Sequence, residues 1–269
     1  MSRNGWLTSA FLVLVTSPVS AQRVWLSPDP GRNVGLEIGK GFFTSSFGIK
    51  FASFVITAEG RFPVTHRVAI TAAIPYATIR ESQSFDGSGT STAFGNPWIG
   101  AEIAAQPDIT LEAGIRPGIA SGAPSHDQAY FLGEFDDFNR MEAWVPKRTS
   151  VRAMAHLGRI PERGTLVTGI VGGTVFLAGD GGESVVYANY GVRLGVRDDH
   201  SMTSLTFTGR ANLGHALVEG SLNRTENQVA IQVEGTRGAF RPRLSVGSFT
   251  SSIRNEIKAI ATIGASYVF

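Results

Sequence analysis

The chain has no cysteine among its 269 residues, which removes disulfide frameworks, zinc ribbons and thiol chemistry. Charge is also sparse, at 17% of residues, and the formal net charge of +2 is too small for the electrostatic footprint of a nucleic-acid binder. No apolar run reaches the roughly 20 residues that a membrane-spanning helix needs. Helical periodicity is hard to find after the first 21 residues. Motif chemistry is equally thin. No Gly-x-Ser-x-Gly elbow, His-Glu-x-x-His pair or phosphate-cradling glycine loop with lysine occurs, so neither an enzyme nor a cofactor or metal is expected. The histidines are His66, His126, His156, His200 and His215, and none has a partner at a defined spacing.

What is present begins with a leader. Arg3 supplies positive charge, Trp6 to Val15 form a short apolar core, and Val19-Ser20-Ala21 offers small residues for cleavage. Residues 1–21 are therefore expected to be a cleavable signal peptide, and 22–269 the mature domain.

Alternation with a period of two dominates the remainder. In Val186 to Arg197, the residues Val186, Ala188, Tyr190, Val192, Leu194 and Val196 share one face, while Asn189, Arg193 and Arg197 lie on the other. The same pattern predicts about twelve strands, over 34–42, 48–60, 65–77, 95–105, 109–120, 146–158, 164–177, 184–197, 202–213, 226–235, 239–249 and 256–269. The lengths of the connections support this reading. Those at 61–64, 106–108, 159–163, 198–201 and 236–238 are short, whereas those at 78–94, 121–145 and 214–225 are long and polar, with the shorter Ala178-Gly179-Asp180-Gly181-Gly182 on the same side as the long ones. Short turns on one side and long loops on the other are the habit of outer-membrane barrels, whose termini are periplasmic.

The expected fold is thus all-β, a closed antiparallel transmembrane barrel with short periplasmic turns and longer external loops. About twelve strands enclose a space too wide for apolar side chains to fill, so the polar face should line the lumen and the apolar face should meet lipid. A two-sheet soluble sandwich is the alternative. On the last strand Ile257, Ala259, Ala261, Ile263, Ala265, Tyr267 and Phe269 share one face. Tyr267 and Phe269 suit an aromatic girdle and a terminal signal read by the barrel assembly machinery. The bacterial outer membrane is the expected location, with its lipid and lipopolysaccharide as surroundings.

One stretch resembles a known family. The strand Val68 to Ala77, ending in Pro75-Tyr76, leads through a glycine- and serine-rich loop to Phe94-Gly95-Asn96-Pro97-Trp98-Ile99-Gly100. This is similar to the outer-membrane transporters of the phenol-degradation MetA-pathway type, with Asn96 where that family often has Asp. The resemblance covers about residues 65–105, and implies a small barrel linked to uptake of aromatic or other apolar molecules.

The lumenal face is rich in arginine: Arg116, Arg152, Arg193, Arg210, Arg241 and Arg243, with Glu102, Glu112 and Glu234 among them. Arginine rings select anions in pores, whereas cross-strand pairing with Glu would make them structural. Glu234 and Arg241 are expected as such a pair across the turn at 236–238. A symmetric hairpin about Pro107 would set Glu102 against Glu112 and Trp98 against Arg116, with Arg152 as the counter-charge from the next strand. A slip of one residue would leave the two glutamates diagonal. Glu134, Asp136 and Asp137 in one loop, and Asp180 with Glu183 in another, read as solvated charge ahead of a cation site. The functional expectation is passage of a small solute, aromatic or acidic, through an Arg-containing lumen that an inward-folded 121–145 segment could plug. The alternatives are a non-conducting structural or adhesion barrel acting through its external loops and, further off, a membrane-embedded hydrolase.

Overall fold

A computed structural model describes residues 31–43, 51–81, 90–121, 127–178, 184–213, 225–250 and 257–269. The expected leader, the loop tips at 82–89 and 214–224, and Asp180 with Glu183 lie outside the described residues.

The strands are β1 (Asn33–Phe43), β2 (Phe51–Pro63), β3 (Val68–Glu81), β4 in two pieces (Thr90–Phe94 and Trp98–Gln106), β5 (Ile109–Arg116) and β6 (Ser150–Leu157). They continue as β7 (Gly164–Phe176), β8 (Val185–Arg197), β9 (Ser201–Asn212), β10 (Glu226–Gly235), β11 (Phe240–Phe249) and β12 (Ile257–Val268). Each pairs antiparallel with its sequence neighbours, and β1 pairs with β12 from Asn33↔Val268 to Phe43↔Ile257. The sheet therefore closes on itself, and its thirteen hydrogen-bonded segments make twelve strands once the two pieces of β4 are joined.

The barrel is inside out relative to a soluble protein. Leu36, Ile74, Ile99, Val167, Val196, Leu205 and Ile231 point outward and are exposed, while Glu37, Glu112, Arg116, Arg193, Thr206 and Gln232 point inward and are buried. Leaving such a band in water would cost roughly 1.5–3 kcal/mol for each large side chain. Lipid removes that cost, and closure satisfies the backbone groups that hydrocarbon cannot.

Two departures from simple alternation have local causes. On β4, Ala73↔Trp98 and Tyr76↔Phe94 mean that the three residues 95–97 oppose only Ile74 and Pro75, so one extra residue bulges out at 95–97. Pro97 has no N–H to give to β3, and Pro75 on β3 has none to return. The expected strand at 95–105 thus starts earlier, at Thr90, and is interrupted where the sequence suggested its beginning. On β12 the register shifts opposite Phe42 and Phe43. That shift turns Ile257 inward against Phe249 and Ile260, so it does not share the lipid face with Tyr267 and Phe269.

β5 stops at Arg116 because Pro117 follows, and β6 starts only at Ser150. Between them the chain leaves the wall and folds into the barrel. It forms α1 (Asp127–Asp136) and then a 3-10 turn (Phe138–Ala143) in which Arg140 leaves helical geometry (φ −126°, ψ 31°). This plug was expected as an external loop with an inward-folding option, and the inward arrangement is the one adopted.

Candidate functional site

The plug is anchored first at the bulge. Asn96 is fully buried and clasps both ends of the inserted segment. Its Nδ2 donates to the carbonyl of Val145 (2.7 Å), its Oδ1 accepts from the N–H of Ala120 (2.9 Å), and its own N–H donates to the carbonyl of Ala143 (2.6 Å). Arg116 Nη1 donates to the Asn96 carbonyl (2.8 Å), which the bulge has freed from the sheet. The approach is close enough that a Cβ on Gly95 would lie 2.7 Å from the Ala143 carbonyl oxygen. Only glycine fits there without moving the plug. Trp144 then packs into an apolar cluster with Val55, Ala77, Ile79, Ala93 and Tyr130, which fixes the base of the plug against β2–β4.

The tip of the plug carries charge to two parts of the wall. Arg140 forms ion pairs with Glu37 on β1 and with Asp137 beside it (2.9 Å), and lies 3.7 Å from Glu59 on β2. Burial would loosen the Arg140 proton, but Asp137, Glu37 and Glu59 outweigh it and hold the proton more firmly than usual. Glu142, two residues on, turns the other way. Its Oε1 accepts from Arg152 Nη1 (2.8 Å) on β6 and from Arg116 Nε (3.3 Å) on β5. Burial would raise the Glu142 pKa, and these two guanidiniums overcome it and keep the carboxyl below its ordinary range. Asn139 reaches a third sector, with Nδ2 at 3.4 Å from Gln228 Oε1 on β10 and Oδ1 accepting from Thr208 on β9 (3.3 Å). Asp136 ends the helix against β1, accepting the Gly41 N–H at 2.8 Å. Burial pushes its carboxyl up to about 7.

The hairpin about Pro107 has the symmetric register, with Glu102↔Glu112 directly paired. Like charges opposite each other are destabilising, and each has its own cation. Arg61 Nε binds Glu102 at 2.6 Å, and Arg152 Nη2 binds Glu112 at 2.7 Å. His156 Nε2 lies 3.1 Å from the other Glu112 oxygen. Trp98 points inward between the guanidiniums of Arg152 (4.5 Å) and Arg116 (5.6 Å), its indole N–H donating to Thr71 (2.9 Å).

Four of the sequence-selected residues, Trp98, Glu112, Arg116 and Arg152, therefore meet in one network, and Glu102 stands beside it, opposite Glu112 and paired with Arg61. Arg193 and Arg210 lie elsewhere. Arg193 donates to Ser204 (2.8 Å) on β9. Arg210 lies over the Tyr187 ring (5.9 Å) and lines a narrow pocket between the plug and β7–β9 with Asn139, Tyr187 and Asn189. Glu234 stands opposite Arg243, with Arg241 opposite Ser266 and diagonal to Glu234. Tyr267 and Phe269 are exposed on the outer face at the turn end, their rings 5.7 Å apart.

Sequence reasoning missed Arg140 and Glu142, and it read Asp136 and Asp137 as solvated loop charge. Both aspartates are buried in the lumen. The available signal was the composition of 135–145, which sets Phe135, Phe138, Met141, Trp144 and Val145 among the charges. That is too apolar for a loop standing in water.

No family model matches the chain, and no curated relative does either. Solved structures do. An outer-membrane channel from Pseudomonas putida F1 superposes with a TM-score of 0.60 at 12% identity, covering 93% of this chain and 100% of that one. The translocator domain of the autotransporter NalP from Neisseria meningitidis gives 0.56 at 11% identity over 98% and 95%. LpxR from Salmonella typhimurium gives 0.54 at 10% identity over 88% and 100%. The chain has the fold of a bacterial outer-membrane barrel. Identities this low carry the fold alone, and the phenol-degradation family is not matched by its model.

Proposed function

We propose that the protein is an outer-membrane channel for a small solute bearing a carboxylate, held shut by the plug, whose described part is 127–149. The observation that carries this reading is Glu142. Its carboxylate sits between two wall arginines beside an indole face, in the place a solute carboxylate would take once the plug withdrew. Paired guanidiniums suit carboxylates in geometry as well as charge, and Trp98 adds a surface on which an apolar or aromatic body could lie. The likeness in fold to a channel is consistent with this, as is the resemblance of residues 65–105 to transporters of aromatic molecules.

Planar-bilayer recording of the refolded protein tests the reading. The intact chain should open briefly and rarely, and excision of 122–145 should give a steady anion-preferring conductance. The filled lumen favours one other reading, a closed structural barrel working through its external loops. A plug-deleted barrel that is folded yet carries no current would support that reading and sink the channel.

A further inference from the structure

The outward face of the wall is almost free of charge. Among the described strand residues that point to lipid, only Lys40 on β1, Arg80 on β3 and Lys258 on β12 are ionised, and all three are cations. All three also stand at the end of the wall away from the short turns, within the arc of adjacent strands β12, β1, β2 and β3. Long cationic side chains that merely reach for the membrane interface would serve the whole circumference. At the same end of the other strands the outward residues include Ile115, Val151, Val175, Val186 and Asn227, none of them charged. One sector of the membrane therefore meets a single sign of charge.

The three cations are interleaved with aromatic rings. Lys40 Nζ lies 5.6 Å over the ring of Phe42. Lys258 stands beside the same ring, set outward by the register shift between Phe42↔Ala259 and Phe43↔Ile257. Arg80 pairs with Ala52 on β2, two residues from Phe54, which projects outward on the strand between β1 and β3. Phe42 and Phe54 are both exposed. β1 and β3 are two strand spacings apart, roughly 10 Å, so the long side chains of Lys40 and Arg80 can hold one headgroup between them. We infer that this arc binds a lipopolysaccharide molecule of the outer leaflet. Lys40, Arg80 and Lys258 hold the phosphates of its lipid A headgroup, with Arg80 able to bind one in bidentate fashion, and Phe42 and Phe54 meet its acyl chains. The short-turn end faces the other leaflet, which is where outer-membrane barrels place their short turns. The site lies on the outside of the wall and is independent of whether the lumen conducts.

Native mass spectrometry of the refolded chain in detergent tests it, with three added lipids: bis-phosphorylated lipid A, the same lipid lacking one phosphate, and dioleoyl phosphatidylglycerol. The expected result is one bis-phosphorylated lipid A retained per barrel, at a concentration several-fold lower than either of the others requires. Lys40→Gln, Arg80→Gln and Lys258→Gln should each weaken retention a few-fold, and the three together at least ten-fold. Arg159→Gln with Arg237→Gln, at the short-turn end, should change nothing. Should the triple variant not fold, the single variants carry the comparison. Equal retention by wild type and the Gln variants, with heat-modifiable mobility proving the barrels folded, overturns the site. Retention of phosphatidylglycerol as tight as that of lipid A, or displacement of lipid A by millimolar inorganic phosphate, overturns the assignment to lipopolysaccharide.

Discussion

Asn96→Ala isolates the hold of the plug from the stability of the barrel. The substitution removes two short side-chain bonds that tie the base of the plug, to Val145 O at 2.7 Å and from Ala120 N at 2.9 Å. It leaves the strand pairing of β3, β4 and β5 untouched, because Asn96 sits in the bulge and not in the ladder. Each buried partner stranded in this way costs about 1–3 kcal/mol. Water reaches the freed groups once the base loosens, so each should cost about 1.5 kcal/mol, in the lower part of that range, and the two together roughly 3 kcal/mol. That is about a hundred-fold in the docking constant. Hydrogen exchange reads it directly. The Arg140 and Trp144 amides, bonded to Asp137 O and Met141 O, should exchange about a hundred-fold faster, and the amides of β8 and β9 should not change. Open probability in bilayers should rise as well, by less than the exchange rates, because the tip moves more freely on a loosened base. Unchanged exchange at those two amides would refute the clasp, and acceleration spread evenly over the strands would show that Asn96 stabilises the barrel instead.

Three further outcomes follow from the same geometry. Docking of the plug should be tightest near pH 4. Burial raises Asp136 to about 7 in the docked state, so docking is favoured below its ordinary pKa of about 4 and loses up to roughly 4 kcal/mol as pH climbs to 7. Glu142, lowered on docking, adds stability above its ordinary pKa of about 4.3 that is lost in more acid solution. Open probability should therefore rise from pH 5 to 8, Asp136→Asn should flatten that rise, and a channel that closes over this interval would contradict the assignment. Leu205→Arg places a charge on the lipid face of β9 and should cost about 2–4 kcal/mol of folding stability in phospholipid vesicles, measured by urea titration; no loss would put that face away from lipid. Phe269→Ala should lower the amount of assembled barrel more than the conductance of what assembles, because the ring stands on the outer face beside Tyr267; normal assembly with altered conductance would reverse that role.

The wall was legible in the sequence because one rule governs every strand. Lipid on one side and a wet lumen on the other force a period of two, and a slip of one residue would put Arg193 or Glu112 into hydrocarbon. That constraint fixed the faces of β5, β8, β9 and β10, and a tight turn at Pro107 fixed Glu102 against Glu112. The rule fails where neighbours other than lipid decide. At Gly95-Asn96-Pro97 the chain serves the plug, so what reads as a strand start is a mid-strand bulge. At Ile257 a register shift turns an apolar residue toward Phe249. The plug itself follows no period, because its neighbours lie on all sides. Arg140 answers β1 and β2, Asn139 answers β9 and β10, Glu142 answers β5 and β6, and Trp144 answers the cluster above β2–β4. A segment with no single buried face has no amphipathic signature, and its charges look like those of a solvated loop.

The division of labour within the plug also indicates which part moves. Its base is held by directional bonds to Asn96 and by apolar packing of Trp144, and both are lost outright when they separate. Its tip is held by ion pairs, for which water is a competent substitute: Arg140 and Glu142 regain hydration as they leave, and so do the wall groups they leave behind. The balance between desolvation and attraction at such pairs is close to even. The tip can therefore exchange between docked and hydrated positions at small cost while the base stays fixed. Apolar residues in place of Arg140 and Glu142 would tighten the packing and strand Glu37 and Arg116 against a dry surface. Charge at the tip is what allows the lumen to be filled when closed and still be polar when open.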